Sequence, residues 1–513
     1  MEHYCEVPEE VEFAMKIFST NEVQPNDVSN QEREWIYNGL DCCVTAEVLD
    51  VLLPQLDNHT AATYNFSRDL QGPVLEMRVR GVLVDQTRRY EVIEEYYEKL
   101  DTLQDQLEEI VGNGCGVWDF NWRSNAHLKH LFYEVLGIPP IMRGGSPTVN
   151  NDALERLETY FSAAPIVKHI SMMRGLAKKI SVLKTEIDDD GRMRTSYNIA
   201  GTNTGRLSSS FSEYGTGTNL QNIEESLRSV FIADPGFKLA YLDAEQGESR
   251  VVGAIEWNLG DGRYLDACEG GDLHTTVARL VWPTGVAWTG DVRKDRKLAE
   301  QPYYRHYDRR FMCKKIGHGT NYGGKPRTLA NQSKVDVGLI EDFQPKYFAA
   351  FPAHKRWHAD VDQRLRADGY LVNLTGRKRY FFGRRNDDAT LREAIAYDPQ
   401  GSLADILNTG MLNVWRRRDC QVLMQIHDAI LIQYPEEEED NVIPKVLEAL
   451  RYPISLARNR ELIIPYEVKT GWNWGKYDQQ KNPDGLKAYV GADKRKRQPT
   501  LSIMARPVCG VYR

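Results

Sequence analysis

Apolar positions along this chain recur with two different periods, and the change of period divides it. From IEEYYEKL through LDTLQDQLEEIV, ending at Val111, apolar residues return at helical spacing and predict a long amphipathic helix. Arg80-Gly81-Val82 ahead of it reads as a turn into a short strand. Beyond the Gly/Pro-rich break RGGSPTVNN, the stretch HISMMRGLAKKISVLKTEI predicts another helix, so that antiparallel helices form an extended arm. The period then shortens. FKLAYLDAE reads as a strand with Asp243 at its end, a turn follows at Gln246-Gly247, and ESRVVGAIEW resumes a helical period. CQVLMQIHDAILIQYP reads as two short strands folded back around His427-Asp428, which puts Asp428 at a hairpin tip. RRFMCKKIGHGTNYGG and LADILNTGMLNVWRRR are helical, and strands before and after a helical insert predict one sheet with an excursion. Near the amino end, YNGLDCCVTAEVLDVLL has helical spacing in a segment too short to be a domain of its own.

Composition narrows the class without choosing a function. With 41% hydrophobic and 27% charged residues the chain reads as globular, and no apolar run approaches the length of a membrane span. The opening MEHYCEVPEEVE is acidic where a secretory signal would be basic and then apolar, so a cytoplasmic protein is expected. The eight cysteines contain no CxxC pair, which favours reduced thiols over a zinc site or a disulfide framework. A net charge of −8 argues against a phosphate-backbone binder, and any contact with nucleic acid must then come from local basic patches. The KRKR run at 494–497 reads by default as part of a solvated tail.

Asp243 and Asp428, each at a strand end, are the first candidates for chemistry. Phosphoryl transfer to a growing strand uses two divalent cations about 4 Å apart, and hard ions such as Mg2+ take carboxylate oxygens. Strand-end aspartates are also ordinary turn formers, and alone the pair would be dismissed. Arg310, Lys314 and His318 change the odds: they recur every four residues, with Tyr322 at the next step, so the first three share a helical face that suits a triphosphate followed by a sugar or base. Gly317, Gly319, Gly323 and Gly324 speak against a merely solvated basic face, because glycine is costly in a helix and is expected where something approaches the backbone closely.

These residues stand in ordered motifs, and from about residue 66 to residue 477 the chain resembles the family A DNA polymerases, in particular their phage-type members. LDAEQGESR at 242–250 resembles the first palm motif, RxxxKxxxHGxxYG from Arg310 to Gly323 the fingers helix, and IHDA at 426–429 the second carboxylate motif. TGRLSS at 204–209, NLQN at 219–222, DLH ending at His274, QGSLADIL from Gln400 and GWNWG at 471–475 match further motifs in order. The resemblance implies an α/β right-hand fold: an antiparallel palm sheet, helical fingers and a helical thumb. The expected divisions are a truncated exonuclease-like remnant at 1–57, the thumb and primer-template region at 58–228, palm at 229–261, fingers at 262–395, palm at 396–480 and a basic tail at 481–513.

The implied activity is DNA-templated extension of a primer 3′ end with dNTPs, releasing pyrophosphate. Asp243, Asp428 and the Ala244 carbonyl would hold two Mg2+ ions, with Mn2+ able to substitute. Lys314 would act with them in catalysis, and Arg310, Lys314, His318, Tyr322, Glu248, His274 and Gln246 would meet the nucleotide. Arg206, Thr204, Asn219, Gln221, Asn222, Arg392, Gln400 and His427 would meet primer-template DNA. Glu248 with Tyr322 would exclude ribonucleotides by closing the space of a 2′-hydroxyl. Rival readings are a polymerase-fold nucleic-acid-binding subunit without turnover, a single-subunit RNA polymerase and a nuclease. A monomer without membrane attachment is expected, in the host cytoplasm if phage-encoded.

Several positions depart from the family pattern. His318 replaces an aromatic Phe or Tyr, and its ring N–H suggests tolerance of dideoxynucleotides. Gly247 replaces a bulky apolar residue, which suggests a widened pocket; Ala429 stands where Glu is usual, leaving Asp243 and Asp428 to carry the metals unaided; Ala396 replaces an asparagine. Tyr37-x-x-x-Asp41 resembles the last motif of a proofreading exonuclease, but residues 1–36 hold no DxE, so no proofreading by this chain alone is expected. Truncation and a separate nuclease polypeptide remain alternatives. The segment from Trp282 to Asp308 is longer than the family needs.

Overall fold

The computed structural model describes residues 30–213, 215–304 and 307–491; the basic run at 494–497 and the first 29 residues lie outside them. The chain folds as two compact units, residues 71–273 with 403 onward and residues up to 70 with 274–402. In the first, helix α1 (Gln86–Cys115) starts where the Asp85 carboxylate accepts from Arg88 N and stops at Gly116 in a left-handed conformation. Its Val92, Tyr96, Leu100, Leu107 and Val111 form one apolar stripe, and helix α2 (Ala164–Leu183) answers with Ile166, Val167, Ile170, Met173 and Ile180. At the base of this arm, Val82–Val84 is the middle of a three-stranded antiparallel sheet between Arg192–Met193 and Phe231–Ile232.

The same unit holds a five-stranded sheet built from β1 (Phe237–Ala244), β2 (Gln421–Ile426), β3 (Ala429–Pro435), β4 (Tyr466–Gly471) and β5 (Lys487–Ala488), in the order β2-β3-β1-β4-β5. Every pairing is antiparallel. The excursion expected between the strand regions is therefore real: β1 is separated in sequence from β3 by the whole insert, yet lies beside it. Along β1 Lys238, Leu239, Ala240, Leu242 and Ala244 are buried, while Phe237, Tyr241 and Asp243 are half-buried. The odd-numbered face packs Phe237, Leu239 and Tyr241 against the core shared with the arm, and becomes accessible only towards Asp243 at the strand end. Helix α3 (Gly247–Asn258) follows β1 directly, and helix α4 (Asp388–Arg417) runs from the other unit into this one, where its Gly410 abuts Leu450 of helix α5 (Glu439–Leu450).

The second unit is helical. Val337–Ala350 and Ala353–Asp368 bury Phe343, Tyr347, Trp357, Val361 and Leu365, and a hairpin pairs Tyr370–Val372 with Lys378–Tyr380. Tyr37 and Asp41 lie on the exposed helix Asn30–Leu52. The cysteines at 42, 43, 115, 268, 313 and 420 are free thiols. No helix among the described residues is long and apolar enough to cross a membrane.

Candidate functional site

Sheet register brings the two aspartates together. Asp243 is the penultimate residue of β1, and its direct cross-strand neighbours are Ala429 on β3 and Glu467 on β4, so all three side chains leave the same face of the sheet. Asp428 precedes Ala429 in the two-residue turn between β2 and β3, and its carbonyl accepts from Ala244 N at 3.0 Å. That bond ties the end of β1 to the hairpin tip. His427, the other turn residue, has φ 51°, and Gln246 after β1 has φ 54°. Left-handed backbone at non-glycine residues costs of order 1 kcal/mol each, and here both instances flank the aspartates.

Burial, and then the negative charge of Asp428, push the Asp243 carboxyl up to about 6; Glu467 adds to the effect, and Lys469 and Arg228 oppose it. A cation would relieve this crowding of charge. The available donors are carboxylate oxygens with the Ala244 carbonyl, which suit a hard ion. Ala429 supplies no carboxylate, and Glu467 is engaged by Lys469 at 3.1 Å. Among the described residues no group of three or more His, Cys, Asp and Glu is arranged to hold a metal.

Arg206 joins this pair to Glu248. One guanidinium nitrogen donates to Glu248 Oε1 and also lies 3.3 Å from Asp428 Oδ1. Thr202 Oγ1 donates to the Arg206 carbonyl at 2.8 Å, and Asn408 donates to that of Gly205 at 3.0 Å, which fixes the loop carrying Arg206 and the half-buried Thr204. Gln246 Oε1 is buried with no hydrogen-bond partner among the described residues.

The residues expected on DNA do not behave alike. Gln221 is a correction: its amide is buried, donating to Gln425 Oε1 at 2.7 Å and to the Leu207 carbonyl at 3.2 Å, while Gln425 in turn donates to the His427 carbonyl. It supports the hairpin tip from within, with its amide nitrogen committed to these bonds. Asn219 is tied to Ser209, donating to its carbonyl at 2.7 Å. Asn222 and His427 are exposed. Tyr197, which sequence reasoning missed, donates its hydroxyl to the Gln425 carbonyl at 3.0 Å and so braces the same tip.

Gly247 also needs correcting. A Cβ there would lie 2.5 Å from Leu403 Cδ1, so the space is filled by Leu403 and no pocket is widened. Gly247→Ile is expected to cost about 1–3 kcal/mol in denaturation midpoint, and pairing it with Leu403→Ala to recover to within about 1.5 kcal/mol of the parent. A Gly247→Ile protein as stable as the parent would refute this packing.

The other unit carries the basic row. Arg309–Met312 is α-helical, Cys313–Gly317 forms a π turn, and His318–Asn321 is α-helical again. The regular helix expected from the spacing is therefore interrupted. A π turn closes i→i+5 bonds and holds more residues than the 3.6 of an α turn, which offsets the drift that steps of four accumulate. Lys314 and His318 are exposed and Arg310 half-buried, while Met312, Cys313, Ile316 and Thr320 face the core. Tyr322 lies beyond the helix as its C-cap, its ring edge-on to His318 at 5.1 Å between centroids.

The glycines here answer to the protein's own packing. A Cβ at Gly319 or Gly324 would meet Leu329, at 2.4 and 2.7 Å, and one at Gly317 would meet Tyr347 at 3.3 Å, whereas Gly323 is required by its φ of 70°. The close approach inferred from the sequence comes from these side chains. Asn321 anchors the turn: its Oδ1 accepts from Tyr347 Oη at 2.7 Å and from His354 Nε2 at 2.8 Å, and its carbonyl accepts from His358 Nε2 at 2.8 Å. Burial pushes the His358 imidazole down to about 4, which keeps it neutral. Sequence reasoning missed this cluster, although His354 and His358 stand one helical turn apart. Arg392 of α4 lies against Gly323; Gln400 on α4 and His274 at the start of Leu273–Val281 are half-buried.

A helical arm, an antiparallel sheet ending in paired aspartates and a helical unit bearing a basic row define the architecture of a right-hand polymerase. Residues 88–476 match the model of DNA polymerase family A, and the chain belongs to that family. It is similar to the thermostable DNA polymerase I of Thermus filiformis, 27% identical over 82% of this chain and 49% of the relative, and to DNA polymerase I of Caldicellulosiruptor bescii, 28% identical over 80% and 47%. The chain thus spans about half the length of these relatives. The POL domain of Pol1 from M. smegmatis, solved in complex with DNA primer-template and dNTP, has the same fold: TM-score 0.69 at 23% identity, over 85% of this chain and 75% of that one.

Proposed function

We propose that this chain is a DNA-templated DNA polymerase, extending a primer 3′ end with dNTPs by nucleotidyl transfer with two Mg2+ ions. The observation that supports it most is Asp243 and Asp428 meeting at the ends of neighbouring strands, beside Arg206 and Glu248, in a chain of family A. Asp243, Asp428 and the Ala244 carbonyl would hold the ions, which would supply activation of the 3′-hydroxyl and charge neutralisation at the triphosphate. Mn2+ would suit the same oxygens.

Arg310 and Lys314 bind triphosphate oxygens and offset the charge that grows as pyrophosphate leaves, with Lys314 Nζ holding the proton it receives. His274 and Gln246 add contacts to the nucleotide. Arg206, Thr204, Asn222, Arg392, Gln400 and His427 hold primer and template. The Glu248 carboxylate, fixed by Arg206, excludes a sugar bearing a 2′-hydroxyl, and Tyr322 with its His318 neighbour serves the same selection. The chain works as a monomer.

Extension of a labelled primer should follow template order with dNTPs and run at least about a hundredfold slower with ribonucleotides; equal use of both would favour an RNA polymerase. His318 suggests that dideoxynucleotides terminate synthesis efficiently through a ring N–H near the sugar 3′ position. His318→Phe should then raise resistance to them severalfold, and an unchanged dideoxy-to-deoxy ratio would remove His318 from that role.

A further inference from the structure

The segment between Trp282 and Asp308, longer than the family needs, contains a short helix, Val292–Ala299, and the hairpin strands Pro302–Tyr304 and Tyr307–Asp308. The one acidic side chain within that helix, Asp295, is fully buried. There it accepts from Thr289 N at 2.7 Å, Thr289 Oγ1 at 2.9 Å and Gly290 N at 3.1 Å, and lies 3.3 Å from Arg279 Nε. Asp295 and Ala299, one turn apart, pin one side of the helix to the unit. The opposite side carries Arg293, Lys294 and Lys297, all exposed, and among the described residues none of the three makes an ion pair; Arg296 pairs with Glu300 at 2.9 Å. The helix's own carboxylate is withdrawn inside and its basic side chains face outward, with Asp291 and Glu300 at its two ends, on a chain whose net charge is −8.

This face is coupled to the basic row. Asp308 at the end of the hairpin accepts from Phe311 N at 2.6 Å and so starts the segment carrying Arg310 and Lys314; Tyr307 stacks on Phe311 at 4.9 Å, and Glu300 comes within 4.0 Å of Arg310. Resting on the polymerase reading, we infer that Arg293, Lys294 and Lys297 bind backbone phosphates of the unpaired template strand ahead of the primer end. The duplex recedes behind the incoming nucleotide, and the only DNA that continues past it is the single-stranded template. An insertion rooted at the start of the segment proposed to meet the nucleotide carries the charge to hold that strand. Point-charge contacts by Lys and Arg suit a strand whose sequence changes at every step.

The test compares the parent with R293A/K294A/K297A by fluorescence anisotropy on primer-templates with a long 5′ template overhang and with a blunt end, across a salt series. Because the three side chains are exposed, the thermal midpoint serves as the folding control. On the long overhang the variant should bind about tenfold more weakly at low salt, and its slope of log affinity against log salt should be shallower by about 2, from roughly 0.7 per single-strand phosphate contact. The blunt substrate should bind both proteins alike. Equal weakening on both substrates would mean duplex contact, and no weakening on either would leave the face to an acidic protein partner; each result overturns the inference. A parent protein that fails to extend primers yet shows the overhang-specific loss would refute the polymerase reading while this surface stands.

Discussion

Replacing Asp243 by Asn is expected to move activity and stability in opposite directions. Primer extension should fall roughly a thousandfold or more, because a neutral amide is a poor ligand for a hard cation whose charge the reaction needs. Stability of the metal-free protein should rise. Burial and the Asp428 charge hold the Asp243 carboxyl at about 6 against its ordinary 3.8. A carboxyl raised in the folded state favours folding while it is protonated. That contribution is fully present below about pH 4 and is lost as pH rises through about 6. Two units correspond to about 3 kcal/mol, and partial exposure of Asp243 reduces this to about 1–2 kcal/mol. With a chelator present, Asp243→Asn should therefore unfold at higher denaturant than the parent at pH 8, and the two should converge at pH 4. Coincident midpoints at pH 8 would show that the carboxyl is not crowded. Added Mg2+ should narrow the gap at pH 8 by stabilising the parent alone.

Lys314→Ala should slow extension by about a hundredfold to a thousandfold, the usual loss when a group that meets developing charge is removed. The fall should appear in kcat more than in KM, since the interaction strengthens as pyrophosphate leaves. Folding should be unaffected, because Lys314 is exposed while Met312, Cys313, Ile316 and Thr320 anchor the segment. A variant with unchanged kcat and an increased KM would reduce Lys314 to ground-state binding. A variant with both unchanged would remove it from the site.

What could be read from the sequence depended on the range of the interactions. The strands carrying Asp243 and Asp428 were legible because alternation and the turn at His427-Asp428 are local signals, and two antiparallel segments ending in carboxylates have few ways to share a sheet. The basic row was legible as a face. Its π turn was not, since a changed hydrogen-bond ladder leaves the apolar spacing almost unaltered. The filling of Gly247 by Leu403 was hidden because the partners lie far apart in the chain, so a missing side chain looked like empty space. Gln221 misled for a related reason: a polar residue in a surface-like motif is buried here because Gln425 completes its hydrogen bonds. The Asn321, Tyr347, His354 and His358 cluster was illegible for want of any motif, each residue being unremarkable until the fold gathers them.

The charge balance of −8 obscured something as well. Net charge averages over the molecule, whereas Asp295 is withdrawn into the interior and Arg293, Lys294 and Lys297 are displayed. Local disposition of charge, more than its sum, determines where a polyanion is held.

The central claim is that Asp243 and Asp428 together form the centre of a template-directed DNA polymerase. Its most direct test is extension of a labelled primer by the purified chain with Mg2+ and dNTPs, in parallel with Asp428→Ala, with binding of the primer-template measured for both. The account predicts template-ordered extension by the parent and loss of at least about a thousandfold in the variant, with DNA affinity changed by less than about tenfold. A variant that extends as the parent does, or a parent that binds DNA and never extends it, would contradict the account.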